Sequence, residues 1–384
     1  MAETLHQIAR FLIPTWPLLA ACLLALLPEK RAAGSARLFA LTGLALTVLL
    51  TPLVAGQDLI TRWTWLLAAS VPFLSRREGS RRLTLCLDFL ACFVTMLALG
   101  LHAVLPVACL IACGALLLAL RESLATTRAR QAWESMRLRL AGTILTLLGS
   151  SLTSFSPDPA TLRLGDLLLS IGLCLLAGLG APGGLASSFD SSLIPPTERA
   201  SALLDMLLCI AAIALMIRLP ERDITHTVLV LAGLAALWLG ILARQDGVRS
   251  LIALAIVSTA IPGGHVPAML FLSTGLALAA EPALDSRSRR WVACGLPPWP
   301  PFAASCGLLA GLMRSSPLSG GLAALLTVIG LGVMASRSGL AGALPCVWRD
   351  RLILLLLLGL GLVAPFLLPA VHTGQDFSLG WMAP

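Results

Sequence analysis

Few side chains inside the apolar runs of this sequence could take up or release a proton. Four carboxylates lie within such runs or at their ends: Asp88, Asp166, Asp205 and Glu281. Titratable groups inside a membrane are costly and usually functional. Three of them, all except Asp205, fall near the ends of predicted helices, where solvation or capping would explain them. Asp205 lies a turn inside its helix and is the best candidate carrier of a proton.

The histidines and the basic residues offer few further candidates. The five histidines are isolated from one another, and none has a second ligand at a spacing typical of metal sites. We therefore predict no metal site and no bound cofactor. Nucleotide-binding, dinucleotide-binding, serine-hydrolase and zinc-protease patterns are absent from the sequence, so we predict no catalytic residues. The candidates for an ion path are Asp205, His226, Arg249 and His265.

The composition indicates a membrane protein. Of the 384 residues, 58% are hydrophobic and 12% are charged, whereas soluble domains carry about 25% charged residues. A membrane-spanning helix needs about 20 predominantly apolar residues, and residues 352–368 form one of several long runs without any charge. Leucine and alanine dominate, and the alternating pattern of a transmembrane barrel strand does not occur. The spans are therefore predicted to be helices.

We predict an all-α, polytopic transmembrane bundle of about fourteen helices that forms a single integral membrane domain, residues 1–384. The predicted helices cover residues 11–27, 37–55, 60–75, 83–101, 104–120, 138–155, 164–181, 200–217, 225–243, 248–262, 266–282, 293–313, 318–336 and 352–370. The apolar run near the N-terminus lacks a small-residue cleavage site, so we expect it to remain as the first helix.

The charge of the loops predicts an orientation. The net charge of +8 comes mostly from arginines, and these lie in alternate loops. The positive-inside rule then places both termini on the periplasmic side of a bacterial inner membrane and residues 121–139 on the cytoplasmic side. That stretch is the longest polar one and could lie on the surface as a helix. Because the chain has no separate basic domain, we predict lipid as its surroundings and exclude nucleic acid as a partner.

Five landmarks follow one another between about residues 160 and 310. They are Arg163-Leu-Gly-Asp166, the glycine-rich segment Gly178–Leu185, the helix from Ser201-Ala-Leu-Leu204 to Arg218, Asp246-Gly-Val-Arg249, and Ala268–Leu272 followed by Gly295-Leu-Pro-Pro298. This order resembles the antiporter-like membrane subunits of proton-pumping NADH:quinone oxidoreductase, Mrp antiporters and group 4 membrane hydrogenases. The resemblance implies internal inverted repeats with broken helices, and partnership with other membrane subunits of a respiratory or hydrogenase-like complex.

The same resemblance makes the departures informative, because the family moves protons on buried lysines. The four matching positions hold Pro182, Ile210, Pro267 and Ser305, and the one lysine of the chain, Lys30, lies in a predicted loop. Burial can shift the pKa of a lysine into the working range, whereas proline, isoleucine and serine do not titrate there. The family's buried glutamate, expected within residues 112–119, is absent as well.

Three interpretations remain. The first is a structural, proton-inert homologue that is kept for assembly within a larger membrane complex. The second is an active proton or cation carrier that uses relocated groups, for which Asp205, His226, Arg249 and His265 are the candidates. The third is a free-standing transporter or a subunit that contributes to a quinone pocket. In none of them is the chain more than a non-catalytic subunit of an oxidoreductase.

Overall fold

A computed structural model of the chain describes residues 2–54, 58–75, 81–125, 129–155, 158–179, 196–219, 223–242, 247–280, 291–315, 318–337 and 348–367. All regular secondary structure in these ranges is helical.

The structure defines the bounds of fourteen α-helices within the described ranges. They are α1 (Ala2–Leu26), α2 (Glu29–Leu50), α3 (Leu59–Leu74), α4 (Arg82–Leu99), α5 (Val104–Ala125), α6 (Ala129–Phe155), α7 (Pro159–Leu176), α8 (Pro196–Arg218), α9 (Asp223–Leu242), α10 (Val248–Thr259), α11 (His265–Ala280), α12 (Pro300–Ser315), α13 (Ser319–Arg337) and α14 (Trp348–Leu367). A short 3₁₀ turn, Thr51–Leu53, follows α2.

Most of these helices have the length and composition of membrane spans. Nine candidate spans, each at least 18 residues long and strongly apolar, occur among the described residues, together with four shorter apolar helices. The predicted all-α, polytopic membrane bundle is therefore confirmed. That all fourteen helices span the membrane stays a prediction. That residues 1–384 form a single domain also stays a prediction.

The chain forms two compact units, Met1–Val228 and Leu229–Pro384. In the first unit, α4 packs against α1 and α5, α5 packs against α6, and α6 packs along α7. Helix α8 packs against α3, α4, α5 and α7, and 89% of its most apolar window is buried. Since α8 is the most enclosed of the nine candidate spans, it is the core of this unit.

Glycines set the close packing of α6 on α7. A Cβ atom added to Gly142 would lie 2.8 Å from the carbonyl oxygen of Gly172, and one added to Gly172 would lie 2.5 Å from the backbone nitrogen of Thr146. Small residues allow the backbones of two helices to approach in this way. The carbonyl groups of α7 are thereby brought within reach of side chains on α6.

In the second unit, α10 and α11 pack against each other, and α12 packs against α11, α13 and α14. Helix α10 has twelve residues and is therefore about 18 Å long, too short to cross a hydrocarbon core of about 30 Å. It ends before the turn Ala260–Gly264, where Gly263 has a φ of 72°. The junction Pro262-Gly263-Gly264-His265 thus interrupts the helical path at this point.

The polar stretch from residue 121 to residue 139 was expected to lie on the surface, and at both of its ends it is built into helices. Residues 121–125 belong to α5, and residues 129–139 belong to α6. The side chains of Arg121, Glu122 and Arg139 are buried, with 3%, 3% and 1% of their surface exposed. Three charged side chains of this stretch therefore lie inside the bundle and not on its surface.

Candidate functional site

A polar stripe runs along one face of α8. Ser201, Asp205 and Cys209 follow one another at intervals of four residues, so their side chains lie on the same side of the helix. Each of them contacts a buried arginine that comes from α5 or α6. The stripe therefore connects α8 to two buried arginines on neighbouring helices.

The centre of the stripe is the ion pair between Arg139 of α6 and Asp205 of α8. The Nη1 group of Arg139 donates to Oδ1 of Asp205, and the two residues are 1% and 4% exposed. The Nε group of Arg139 donates to the carbonyl oxygen of Leu176 at 3.2 Å, and Nη2 makes longer contacts with the Asp205 carbonyl at 3.4 Å and the Cys209 sulfur at 3.5 Å. One guanidinium therefore links α6, α7 and α8.

Cys209 completes the contacts at the end of α7. Its Sγ atom donates to the carbonyl oxygen of Ala177 at 3.1 Å, one residue beyond the last residue of α7. The carbonyls in the last turn of a helix have no partner within the helix. Arg139 and Cys209 thus satisfy two carbonyls at this end, which lies inside the unit and not at its surface.

A second cluster lies one turn towards the start of α8. Arg121 of α5 donates through Nε to Asp88 Oδ1 of α4 at 2.5 Å and through Nη1 to Glu122 Oε1. The same Nη1 group lies 3.0 Å from the hydroxyl oxygen of Ser201, and that hydroxyl donates to Glu122. These contacts join α4, α5 and α8, and all three charged residues are at least 95% buried.

The stripe does not continue to the other end of α8. The six residues from Ile210 to Leu215 are apolar and at most 1% exposed, and they cover about 9 Å of helix. Beyond them, Arg218 donates to the carbonyl oxygens of Leu99 and Leu101, each at 2.8 Å, and to the hydroxyl of Thr61 at 2.7 Å. The charges of α8 thus form two separate groups divided by an apolar segment.

The four predicted ion-path residues are not brought together within either unit. In the first unit, Asp205 lies thirteen residues before the end of α8, whereas His226 lies beyond that end, near the start of α9. In the second unit, Arg249 is the second residue of α10 and His265 is the first residue of α11, so the length of α10 separates them. Asp205 is buried in an ion pair, whereas Arg249 and His265 are partly exposed.

The family lysine positions lie in apolar surroundings where the structure describes them. Ile210 of α8 and Pro267 of α11 are buried among neighbouring core residues. Ser305 of α12 is 5% exposed, and its hydroxyl has no hydrogen-bond partner among the described residues. Pro182 lies outside the described residues. None of the three described positions carries a group that titrates near neutral pH.

Two of the carboxylates that were expected to be solvated at helix ends are buried instead. Asp88 is the seventh residue of α4, is 5% exposed and pairs with Arg121. Asp166 of α7 is 8% exposed. Glu281 lies outside the described residues. The helix-end interpretation was therefore wrong for Asp88 and Asp166, because packing against neighbouring helices removes water from both.

The sequence contained a signal for Arg139 that hydropathy does not detect. Ser135, Arg139, Gly142, Thr146 and Gly149 follow one another at intervals of three or four residues, and all five are buried. Small and polar residues at this spacing mark the packed face of a membrane helix. An arginine in that series faces the neighbouring helices, whereas Arg137, two residues before it, is exposed.

The charged groups at the stripe form ion pairs and hydrogen bonds with one another. Among the residues that the structure describes, no group of three or more His, Cys, Asp or Glu side chains could hold a metal ion. Arginine keeps its proton at physiological pH, so Arg121 and Arg139 act as fixed positive charges. The carboxylates beside them are held in fixed hydrogen bonds.

Comparison with known proteins identifies the fold. No family sequence model matches the chain, and no curated protein sequence shows significant similarity to it. Two solved structures of the respiratory complex I of Thermus thermophilus contain a similar chain. In the complex with bound aureothin the TM-score is 0.67 at 19% identity, over 94% of this chain and 99% of that chain. In the complex with bound NADH the TM-score is 0.65 at 16% identity, over 95% and 97%.

This likeness extends over nearly the full length of both chains. It confirms, at the level of the fold, the resemblance to membrane subunits of complex I-type enzymes that the order of the sequence landmarks predicts. The chain is an integral membrane protein with the fold of a chain from respiratory complex I.

Proposed function

We propose that the chain is a structural, proton-inert membrane subunit of a larger complex of the NADH:quinone oxidoreductase or hydrogenase type. The observation that carries this proposal is the full-length likeness to a chain of respiratory complex I, a multi-subunit assembly. A chain with the fold of a subunit from such an assembly is expected to dock in a similar assembly. Its partners are then other membrane subunits, and it holds no cofactor and no catalytic site of its own.

The side chains at the family lysine positions support proton inertness. A proton relay needs groups whose pKa can cross the working range, and Ile210, Pro267 and Ser305 provide none. The buried segment from Ile210 to Leu215 adds a further barrier, because the charged stripe of α8 stops before it. A proton that reached Cys209 from one side would find no described titratable group on α8 until Arg218.

Asp205 remains the best candidate for the competing function, active proton transfer. It is buried within a candidate span, as a carrier would be. Its carboxylate, however, is paired with a guanidinium that does not release its proton, and three helices hold that guanidinium in place. To release the carboxylate, this pair would have to open inside the bundle, so the structural function is favoured.

The proposal includes an orientation in a bacterial inner membrane with both termini in the periplasm, based on the distribution of loop arginines. Reporter fusions at residue 130 and at the C-terminus would test it. Activity of a cytoplasmic reporter at the C-terminus would contradict the orientation without affecting the assignment as a subunit.

Purification in a mild detergent followed by mass spectrometry tests the partnership. We expect stable co-purification with other membrane subunits of a respiratory or hydrogenase-like complex. A chain that purifies alone under conditions that preserve such complexes would favour a free-standing transporter. A tagged, unrelated polytopic protein from the same membrane serves as the control for non-specific association.

Proton movement is tested with the purified chain in proteoliposomes that contain a pH-sensitive dye. We expect no flux above that of empty liposomes, and an added protonophore should show that the dye responds. Flux in the parent chain would contradict inertness. In that case the double variant Arg139→Gln/Asp205→Asn, which removes the buried pair without leaving an unpaired charge, would show whether Asp205 carries the proton.

A further inference from the structure

The oxygen atoms around Arg139 have the arrangement of a cation-binding site. They are the Asp205 carboxylate, the Leu176 carbonyl in the last turn of α7 and the Asp205 carbonyl. The carbonyl of Ala177, one residue further, is turned to Cys209. The C-terminal end of a helix carries a partial negative charge, which adds to the full charge of the carboxylate. All of this lies within a unit that excludes solvent from Arg139 and Asp205.

A buried carboxylate combined with the carbonyl end of a helix is a general solution for binding cations inside membranes. In this chain the position is filled by a side chain of the protein itself. Arg139 reaches it from α6, because Gly142 and Gly172 let α6 and α7 approach closely. The guanidinium thus donates to both the carboxylate and the helix end.

We propose that Arg139 is a tethered cation that permanently occupies a cation-binding site formed by Asp205 and the C-terminal carbonyls of α7. When the side chain is removed, the vacated site binds a free guanidinium ion. A guanidinium ion matches the three acceptors, since Nη1 of Arg139 donates to the Asp205 carboxylate while Nε and Nη2 lie 3.2 and 3.4 Å from the carbonyl oxygens of Leu176 and Asp205.

This assignment goes beyond the proposed function and does not depend on it. It concerns how one buried charge is neutralised, and it holds whether or not the chain joins a respiratory complex. The role that it gives to Arg139, neutralising the buried Asp205 carboxylate, is independent of ion transport. A chain that failed to co-purify with partners could still bind guanidinium at the vacated site. Conversely, a chain that co-purified with partners could fail to bind guanidinium there.

The test uses the full-length Arg139→Gly variant, purified in detergent, and its midpoint temperature of thermal unfolding. We expect the variant to melt below the parent and to be restabilised, in a saturable manner, by millimolar guanidinium chloride. This concentration is far below the molar range in which guanidinium denatures proteins. Sodium chloride at the same ionic strength controls for screening, and urea controls for a planar molecule of similar shape without a charge.

Two variants show whether the response arises at this site. Arg137→Gly removes an arginine from the exposed face of the same helix and should not respond to guanidinium. Arg139→Gly/Asp205→Asn removes the carboxylate of the vacated site and should lose the response. If guanidinium fails to restabilise Arg139→Gly, or if urea or sodium chloride does so equally well, the proposal is wrong.

A second comparison decides the matter if Arg139→Gly does not fold. Arg139→Lys keeps a tethered cation at the site, whereas Arg139→Gln keeps a shorter polar side chain without the charge. The proposal expects the lysine variant to fold with a midpoint closer to that of the parent than the glutamine variant. Equal loss in both variants would show that shape and not charge holds this position, and would overturn the proposal.

Discussion

The pair between Arg139 and Asp205 makes a quantitative prediction about stability. Removing one partner of a buried ion pair costs about 3–5 kcal/mol, because the other charge is left uncompensated. Asp205→Asn should therefore destabilise the first unit by about that amount. Arg139→Gln should cost more, since it also leaves the carbonyl of Leu176 without its donor. An unsatisfied buried acceptor adds about 1–3 kcal/mol to the loss of stability.

The double variant Arg139→Gln/Asp205→Asn should be no less stable than Arg139→Gln alone, because no unpaired charge remains in it. The two single losses would then exceed the loss in the double variant by about 3 kcal/mol or more, at or above the upper end of usual coupling energies. This value is well above the average of about 0.6 kcal/mol found for interhelical hydrogen bonds within a membrane protein. The coupling therefore distinguishes an ion pair from an ordinary polar contact.

The assay is equilibrium unfolding of the purified protein in mixed micelles, with the free energy of unfolding measured for the parent, both single variants and the double variant. Arg137→Gln is the matched control, since it removes an exposed positive charge from the same helix and should change stability little. The reasoning would be refuted if the stability losses of the two single variants added up to the loss of the double variant. So would single losses no larger than that of the Arg137→Gln control.

Two further predictions concern helix packing and a helix end. Gly172→Ala should lower the unfolding midpoint, because its Cβ would lie 2.5 Å from the Thr146 nitrogen, whereas Gly34→Ala, with open space around it, should be neutral or stabilising. Hydrogen bonds from Thr161 hold the pKa of Asp158, the N-cap of α7, below its ordinary value. This stabilisation is therefore present above the unfolded-state pKa and lost as pH falls through the folded-state pKa, and Asp158→Asn should remove its contribution to the pH dependence of the midpoint.

Hydropathy predicted the order of the helices well but placed some of their ends wrongly. Helix α2 was expected to begin at residue 37, and it begins at Glu29. Its first turn contains Glu29, Lys30 and Arg31, which an apolar window rejects. A glutamate in the first turn nevertheless interacts favourably with the helix dipole, so the helix extends into polar sequence that solvent or headgroups can surround.

The start of α12 shows the opposite error. The apolar run predicted a helix from residue 293, yet α12 begins at Pro300. Proline is readily accommodated in the first turn of a helix, where its missing N–H needs no partner, whereas further inside it removes a helical hydrogen bond. Of the prolines in the segment, only those at 300 and 301 are therefore accommodated within the helix.

The candidate site could be predicted only in part. Asp205 was selected because a carboxylate inside an apolar helix must have a reason to be there. Its partner Arg139 was assigned to a polar stretch, since a window average over the four arginines between residues 128 and 139 indicates a solvated segment. Such an average cannot separate Arg137, which is exposed, from Arg139, which is 1% exposed. Only the helical spacing of the small residues around Arg139 makes that distinction.

The burial of complete ion pairs at α8 also accounts for how charged side chains are held inside a largely apolar bundle. A well-packed apolar replacement of a buried pair is often as stable as the pair itself, so stability alone would not retain Arg139 and Asp205. Apolar contacts, however, allow a helix to rotate or shift by a turn at little cost, whereas a guanidinium bonded to both Asp205 and the end of α7 fixes a single register. Because lipid supplies no hydrophobic force between helices, such a fixed register is valuable in the most enclosed helix of the first unit. On this reasoning Asp205 is retained to position α6 and α7 on α8. The double variant, although no less stable than Arg139→Gln alone, should lose the uniqueness of that packing. Cross-linking between cysteines introduced on α6 and α8 would detect this loss as more than one register.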